Sequence, residues 1–291
     1  MLDFLPAIVL LLGGSSVVLS APAPAPINDI SILQYALTLE HLENNFYNTG
    51  LAKFDEQAFT DAGFPSWVHG RFLQIAEHEA EHVQYLETAL GNSSTQPCNY
   101  SFPFTDLKSF VGLAMALETV GGSAYLGAAP LITDKAILTV AGSILAVESR
   151  HAGWISSAAL HIQPWDGPFE TPLGLDGVFS LASQFIVVCP ATNPTLPVQT
   201  FPALNVSNTS PQLGSTITAT FSNPQNITPT FLSWFDGLNI TFTLINADGS
   251  TQVPQNLAGT VYAGAVSSNT TAPSNITMLS GLAIFEFPFG A

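Results

Sequence analysis

The chain has 291 residues and carries 21 Asp or Glu against five Lys or Arg, a formal net charge of −16. This acidic balance argues against nucleic acid and anionic membrane surfaces as partners, because both attract basic proteins. The chain is long enough for two hydrophobic cores.

Residues 1–20 contain an apolar run that is too short to cross a bilayer, followed by small residues. We predict a secretory signal peptide over 1–20 and a stiff Ala-Pro leader over 21–29. The amino-terminal region is atypical because it has Asp3 and no Lys or Arg, so a buried helix is the alternative. No later segment is expected to span a membrane.

Apolar residues recur at helical spacing through residues 30–190, which predicts a helical bundle. We expect Gly91 to cap the second helix and Thr105 to be the N-cap of the third. The predicted helices lie at about 30–48, 65–90, 106–128 and 133–161, with a fifth, short helix at 176–188. A long loop is expected between the first two.

The motif Glu-x-x-His occurs twice, as Glu79 with His82 and as Glu148 with His151. Three residues are just under one helical turn, so each pair projects a carboxylate and an imidazole from one helix face. The sequence thus predicts two similar polar sites on apolar helices.

Another Glu precedes each pair: Glu40 in the first half and Glu118 in the second. Seven residues after each of these glutamates stands a tyrosine, Tyr47 and Tyr125 respectively. This repeat predicts two helical hairpins. The tyrosines are either core aromatics or hydrogen-bond partners of a ligand carboxylate.

Four buried carboxylates and two imidazoles need compensating charge, and two divalent cations would supply it. We therefore predict a metal site formed by Glu40, Glu79, His82, Glu118, Glu148 and His151. Hard oxygen ligands with one imidazole per ion suit two Fe or two Mn ions. Glu43 is an alternate ligand, but its counterpart in the second half is Gly121, so the repeat favours Glu40.

The other histidines, His41, His69, His78 and His161, are out of phase with these ligands and are expected to be surface or capping residues. Glu77 and Glu81 are expected to be solvated.

Beyond about residue 190, alternating runs separated by turn residues predict a small antiparallel β-sandwich over 195–291, a separate domain. Strands are expected at 215–221, 238–245, 259–266 and 282–287. Glu286 and Asp236 are expected to be surface or turn residues. Eight Asn-x-Ser/Thr sequons and two cysteines suit a secreted glycoprotein. We predict a Cys98–Cys189 disulfide, with two free buried thiols as the alternative.

The repeated ligand set and the stretch from Leu33 to Glu43 with Phe46 and Tyr47 resemble the ferritin-like superfamily. More narrowly, they resemble secreted fungal ferritin-like proteins of the stress-response type and plant desiccation-related proteins. The resemblance implies a ferritin-like four-helix bundle with a fifth short helix, followed here by the β-sandwich.

Two functions are compatible with this pattern. One is a secreted di-iron or di-manganese oxidoreductase acting on peroxide, O2 or Fe(II). The other is a non-catalytic stress or cell-wall glycoprotein that uses the bundle as a scaffold and binds a polysaccharide surface. An iron-storage cage is disfavoured, because the tail and its glycans would crowd shell contacts.

Overall fold

The computed structural model describes residues 27–288, so the predicted signal peptide and most of the predicted leader lie outside the described residues. The helices are α1 (Asp29–Lys53), α2 (Glu56–Asp61), α3 (Trp67–Leu90), α4 (Leu107–Ala128), α5 (Lys135–Trp154) and α6 (Leu175–Ala182). The strands are β1 (Asn99–Tyr100), β2 (Ile186–Val188), β3 (Asn205–Val206), β4 (Thr216–Thr220), β5 (Thr230–Asp236), β6 (Asn239–Ile245), β7 (Ser250–Gln252), β8 (Gly259–Val266) and β9 (Met278–Phe287). Helices followed by antiparallel sheets confirm the predicted fold class.

Local side-chain chemistry sets the ends of the long helices. The N-cap of α4 is Asp106 and not Thr105 as predicted, because the Asp106 carboxylate accepts the backbone N–H of Ser109 at 2.8 Å. The Ser109 hydroxyl accepts the Asp106 N–H in return, which completes a capping box. Gly91 caps α3 as predicted, with a φ of 54° that favours glycine.

The bundle consists of two helical hairpins, in which α1 packs on α3 and α4 packs on α5. The predicted long loop in the first hairpin contains the short helix α2. The Asp55 carboxylate caps α2 by accepting the Ala58 N–H, and Phe59 is fully buried in the bundle core. One buried aromatic residue therefore orders a segment whose composition indicated a loop.

Helix α5 ends at Trp154 and continues as a π-helical turn over Ile155–Ala159, where the sequence predicted helix to residue 161. The hydroxyls of Ser156 and Ser157 both donate to the Gly153 carbonyl, at 3.0 and 2.6 Å. Such local bonds compete with the regular helical pattern and account for the early end.

Cys98 and Cys189 form a disulfide, which confirms the predicted bridge. The fifth predicted helix is shorter than expected: α6 ends at Ala182, and a 3-10 turn over Ser183–Phe185 leads into β2. Strand β2 pairs antiparallel with β1 beside the disulfide, and this pairing overrides the helical pattern.

The carboxy-terminal region forms two antiparallel sheets, with strand orders β3-β4-β7 and β6-β5-β8-β9. The four expected strands correspond to β4, β6, β8 and β9, whereas the short strands β3 and β7 and the long strand β5 are not predicted by the sequence. Strand β5 lies inside its sheet and buries successive residues such as Leu232, Ser233 and Trp234. A strand buried on both faces lacks the polar alternation that marks a strand in a sequence.

One apolar cluster joins the bundle to the larger sheet. Tyr35 of α1 and Val178 of α6 belong to the same buried cluster as Tyr262 of β8 and Leu282 of β9. The Tyr262 hydroxyl also lies 3.1 Å from the Ser123 hydroxyl of α4. The two regions thus share part of their hydrophobic core.

Within residues 27–288, the segment Leu107–Leu131 is the one helix with the length and apolar composition to cross a membrane. Of the most apolar stretch of this helix, 72% is buried inside the protein, as in the central helix of a bundle.

Candidate metal centre

The four long helices bring all six predicted ligands together in the interior of the bundle. Their nitrogen and oxygen atoms form two groups in which every pair of atoms lies within 4.8 Å. The first group consists of Glu40, Glu79, His82 and Glu148, and the second of Glu79, Glu118, Glu148 and His151. Glu79 and Glu148 belong to both groups, whereas Glu40 and Glu118 each belong to one.

Each of the two imidazoles lies close to more than one carboxylate of the cluster. Nδ1 of His82 lies 3.2 Å from Glu79, 3.3 Å from Glu40 and 3.5 Å from Glu148. Nδ1 of His151 lies 2.9 Å from Glu118 and 3.3 Å from Glu79. Each imidazole therefore directs one nitrogen to a position that carboxylates surround.

Several carboxylate oxygens of the cluster are buried without a hydrogen-bond donor among the described residues. They are Glu40 Oε2, Glu79 Oε1 and both oxygens of Glu148. A buried carboxylate oxygen without a partner costs free energy, so these atoms lack the compensation that a cation supplies.

The charges of the cluster strongly perturb one another. Burial raises the pKa of Glu79, but the close imidazoles of His151 and His82 outweigh it and lower that pKa to about 2. Burial raises the pKa of Glu40 to about 7 and that of Glu148 well above its ordinary range, with repulsion from Glu79 adding to both. The carboxylates thus cannot all be ionised together unless cations balance their charge, and otherwise some of them hold a proton.

The tyrosines bond across the repeat, each to the glutamate of the other half. Tyr47 donates a very short hydrogen bond to Glu118, and Tyr125 donates to Glu40 at 2.5 Å. The sequence predicted a bond to a ligand carboxylate as one of two alternatives. Only the tertiary structure decides that the bonded glutamate belongs to the other hairpin.

Glu43 is buried beside the cluster but belongs to neither group of converging atoms among the described residues. It faces α4 at Gly121, where an added Cβ would lie 3.1 Å from Glu43 Oε1 and 2.5 Å from Glu148 Oε2. The missing side chain at Gly121 therefore makes room for two carboxylates.

His78 was expected to be a surface or capping residue, and it is exposed, but it also makes a contact that the sequence does not predict. Its Nδ1 lies 2.9 Å from Nε2 of His151 and the two rings stack at 5.1 Å. The contact joins α3 to α5, and no spacing within one helix signals it.

Two other expectations change. His41 is buried, and its Nε2 lies 3.0 Å from the Thr95 carbonyl, so it joins α1 to the loop after α3.

Glu286, expected at the surface, has an enclosed carboxyl group that accepts a hydrogen bond from Thr260 at 3.0 Å. Burial and the neighbouring Asp166 raise the pKa of Glu286 to about 8. Glu77 and Glu81 are exposed as expected.

Residues 28–161, which contain the whole cluster, match the family model of the ferritin-like domain. This part of the chain is therefore a ferritin-like domain. The protein called Protein rds1 of Schizosaccharomyces pombe (strain 972 / ATCC 24843) is 29% identical over 190 residues. The match covers 64% of this chain and 47% of that protein, so the chain matches about half of its relative's length.

Proposed function

We propose that the buried cluster binds two Fe or two Mn ions and that the protein is a secreted oxidoreductase acting on peroxide, O2 or Fe(II). The observation that carries this proposal is the convergence of four glutamates and two histidines, with several carboxylate oxygens lacking a donor. A purely structural polar network would be expected to satisfy those oxygens.

The donor set fits these ions. Glu40 and His82 would hold one ion, Glu118 and His151 the other, while Glu79 and Glu148 are close enough to both groups to be shared. Carboxylate oxygens with one imidazole per ion suit Fe and Mn. Glu40 would then be a terminal ligand.

When bound, such ions would accept electrons from Fe(II) or exchange them with O2 or peroxide, and the side chains of this chain prepare the site. Tyr47 and Tyr125 hold Glu118 and Glu40 in place through their hydroxyl groups. His78 contacts the outer nitrogen of His151 and fixes its ring orientation. Phe46, Phe72 and Phe110 are fully buried in the neighbouring core and help to keep bulk water out of the bundle.

Metal analysis of protein secreted by a eukaryotic host tests the binding, and rates of peroxide consumption and Fe(II) oxidation test the activity. His151→Ala should lose metal and activity. His69→Ala is the matched control, because His69 contacts the ring of Phe59 at 5.2 Å and belongs to neither ligand group. Equal rates of these reactions in wild type and His151→Ala would contradict the proposed enzymatic activity.

A non-catalytic stress or cell-wall glycoprotein is the second candidate, and the sequons favour it. All eight sequon asparagines are exposed, and six of them follow residue 200. Glycans on these asparagines would coat the β-region. In this second candidate function, the β-region binds a polysaccharide surface. Retention on cell-wall polysaccharide together with a metal-loaded but inactive protein would support this candidate.

Secretion is part of both proposals. The disulfide is compatible with an oxidising compartment, because such bonds are rare in the cytosol. Analysis of the amino terminus of the protein from culture medium would test the predicted cleavage after residue 20.

A further inference from the structure

A large cleft lies between the bundle and the β-region. Its volume is about 1060 Å3, and apolar side chains such as Leu113, Leu117 and Leu282 form most of its lining. Ligand pockets of this character bury most of a small molecule. The cleft therefore has the size and surface of a binding site for an apolar compound.

The cleft follows one face of α4 and ends beside the metal centre. Residues from Lys108 to Gly121 of α4 line it, which corresponds to roughly 20 Å along the helix at 1.5 Å per residue. At the far end, Glu43 and Gly121 form the wall, and the Glu148 carboxylate lies directly behind Gly121.

Charge is distributed unevenly along the cleft. Lys108 is exposed, and it is the one Lys or Arg among the described lining residues. Two carboxyl groups, Glu43 and Glu286, also line the cleft, and neither offers a positive charge to an anion. An anionic head group is therefore best placed at the Lys108 end.

We propose that this cleft binds a long-chain monocarboxylic acid, with its carboxylate at Lys108 and its hydrocarbon chain along α4 toward Glu43. The length of the helix face, the apolar lining and the single Lys all match such a molecule. The inference rests on the proposed function only in treating the Glu43 end as facing a metal centre. It deepens that function by naming a substrate class.

The test is binding of cis-parinaric acid, a fluorescent long-chain acid, to the secreted protein before and after metal removal with a chelator. Palmitate should displace the probe, and a long-chain alkylamine should not. Ala116→Phe should weaken binding at least about tenfold, because Ala116 lines the cleft. Ala146→Phe is its matched control, since it also lies two residues before a predicted ligand but on an exposed face.

Charge reversal tests the orientation of the ligand. Lys108→Glu should weaken probe binding about fivefold, as expected for loss of an exposed ion pair and gain of repulsion. Lys135→Glu, the same change on the exposed first turn of α5, should leave binding unchanged. Equal effects of both substitutions would reflect net charge alone and contradict the assigned head-group position.

The outcomes separate this inference from the metal proposal. A protein that holds two ions but does not bind parinaric acid would overturn the cleft assignment alone. A protein that binds the acid without ever holding Fe or Mn would overturn the metal proposal alone. Displacement of the probe by a synthetic peptide of residues 4–19, and not by palmitate, would assign the cleft to a peptide segment and overturn the inference.

Discussion

Gly121 and Glu43 face each other across the contact between α4 and α1, with 3.1 Å between Glu43 Oε1 and the position of a Cβ on Gly121. The two residues occupy equivalent positions in the internal repeat. One half of the repeat therefore supplies an additional carboxylate, and the other half supplies the space for it. The two halves of the repeat therefore differ at this position, although their predicted metal ligands are of the same types.

Gly121→Ala should reduce bound metal to well below the wild-type stoichiometry while the protein keeps its helical circular dichroism. The added Cβ would lie 2.5 Å from Glu148 Oε2, so a predicted ligand must move. Gly122→Ala is the control, because its Cβ would meet only ordinary contacts, the nearest at 3.4 Å from Ser149. Equal metal content in both variants would contradict the expected displacement of Glu148 from the site.

Glu40→Gln should lose metal as Glu118→Gln does, whereas Glu43→Gln should retain most of it. Glu40 and Glu118 belong to the converging groups, and Glu43 belongs to neither among the described residues. Metal stoichiometry of the three purified variants is the measurement. An empty Glu43→Gln protein beside a loaded Glu40→Gln protein would reverse the assignment.

Tyr47→Phe should lower the free energy of unfolding by about 1–3 kcal/mol, because it leaves a buried Glu118 oxygen without its donor. Urea denaturation at neutral pH measures the change. Tyr85→Phe, at an exposed position of α3, should have little effect. A negligible difference between the two variants would mean that the hydroxyl of Tyr47 does not support Glu118.

The contribution of Glu286 to stability should fall as pH rises. Its pKa of about 8 in the folded protein exceeds the ordinary glutamate value of about 4.3, so the folded state alone keeps the proton between these values. The contribution is complete below about pH 4 and is lost as pH rises through about 8.

The measurement is urea denaturation between about pH 5 and pH 8 on wild type and Glu286→Gln, whose neutral side chain cannot ionise. The variant should lose stability less steeply with rising pH. Glu77→Gln, at an exposed position, should follow the wild-type curve. Parallel curves for wild type and Glu286→Gln would contradict the raised pKa.

A chain ending at Pro194 should keep its helical signal and its metal, because all six predicted ligands precede residue 152. It should also melt at a lower temperature, since Tyr262 and Leu282 belong to the cluster shared with α1 and α6. Circular dichroism and metal analysis measure both effects. Loss of helix and metal together would show that the β-region completes the bundle and is not a separate domain.

Much of this architecture follows from the sequence because its signals are local. Helical periodicity and Glu-x-x-His depend on residues one turn apart, and the repeat of Glu40 and Glu118 placed both hairpins in register. Gly91 at the end of α3 is also predictable from the sequence, because a positive φ is a property of one residue.

The tertiary structure decided features in which distant segments meet. It paired Tyr125 with Glu40 across the hairpins, placed His78 on His151, and buried β5 inside a sheet. It also enclosed Glu286, whose neighbours Thr260 and Asp166 are remote in the chain. Burial and charge coupling depend on which surfaces pack together, and a pattern within one helix or strand carries no information about its partner.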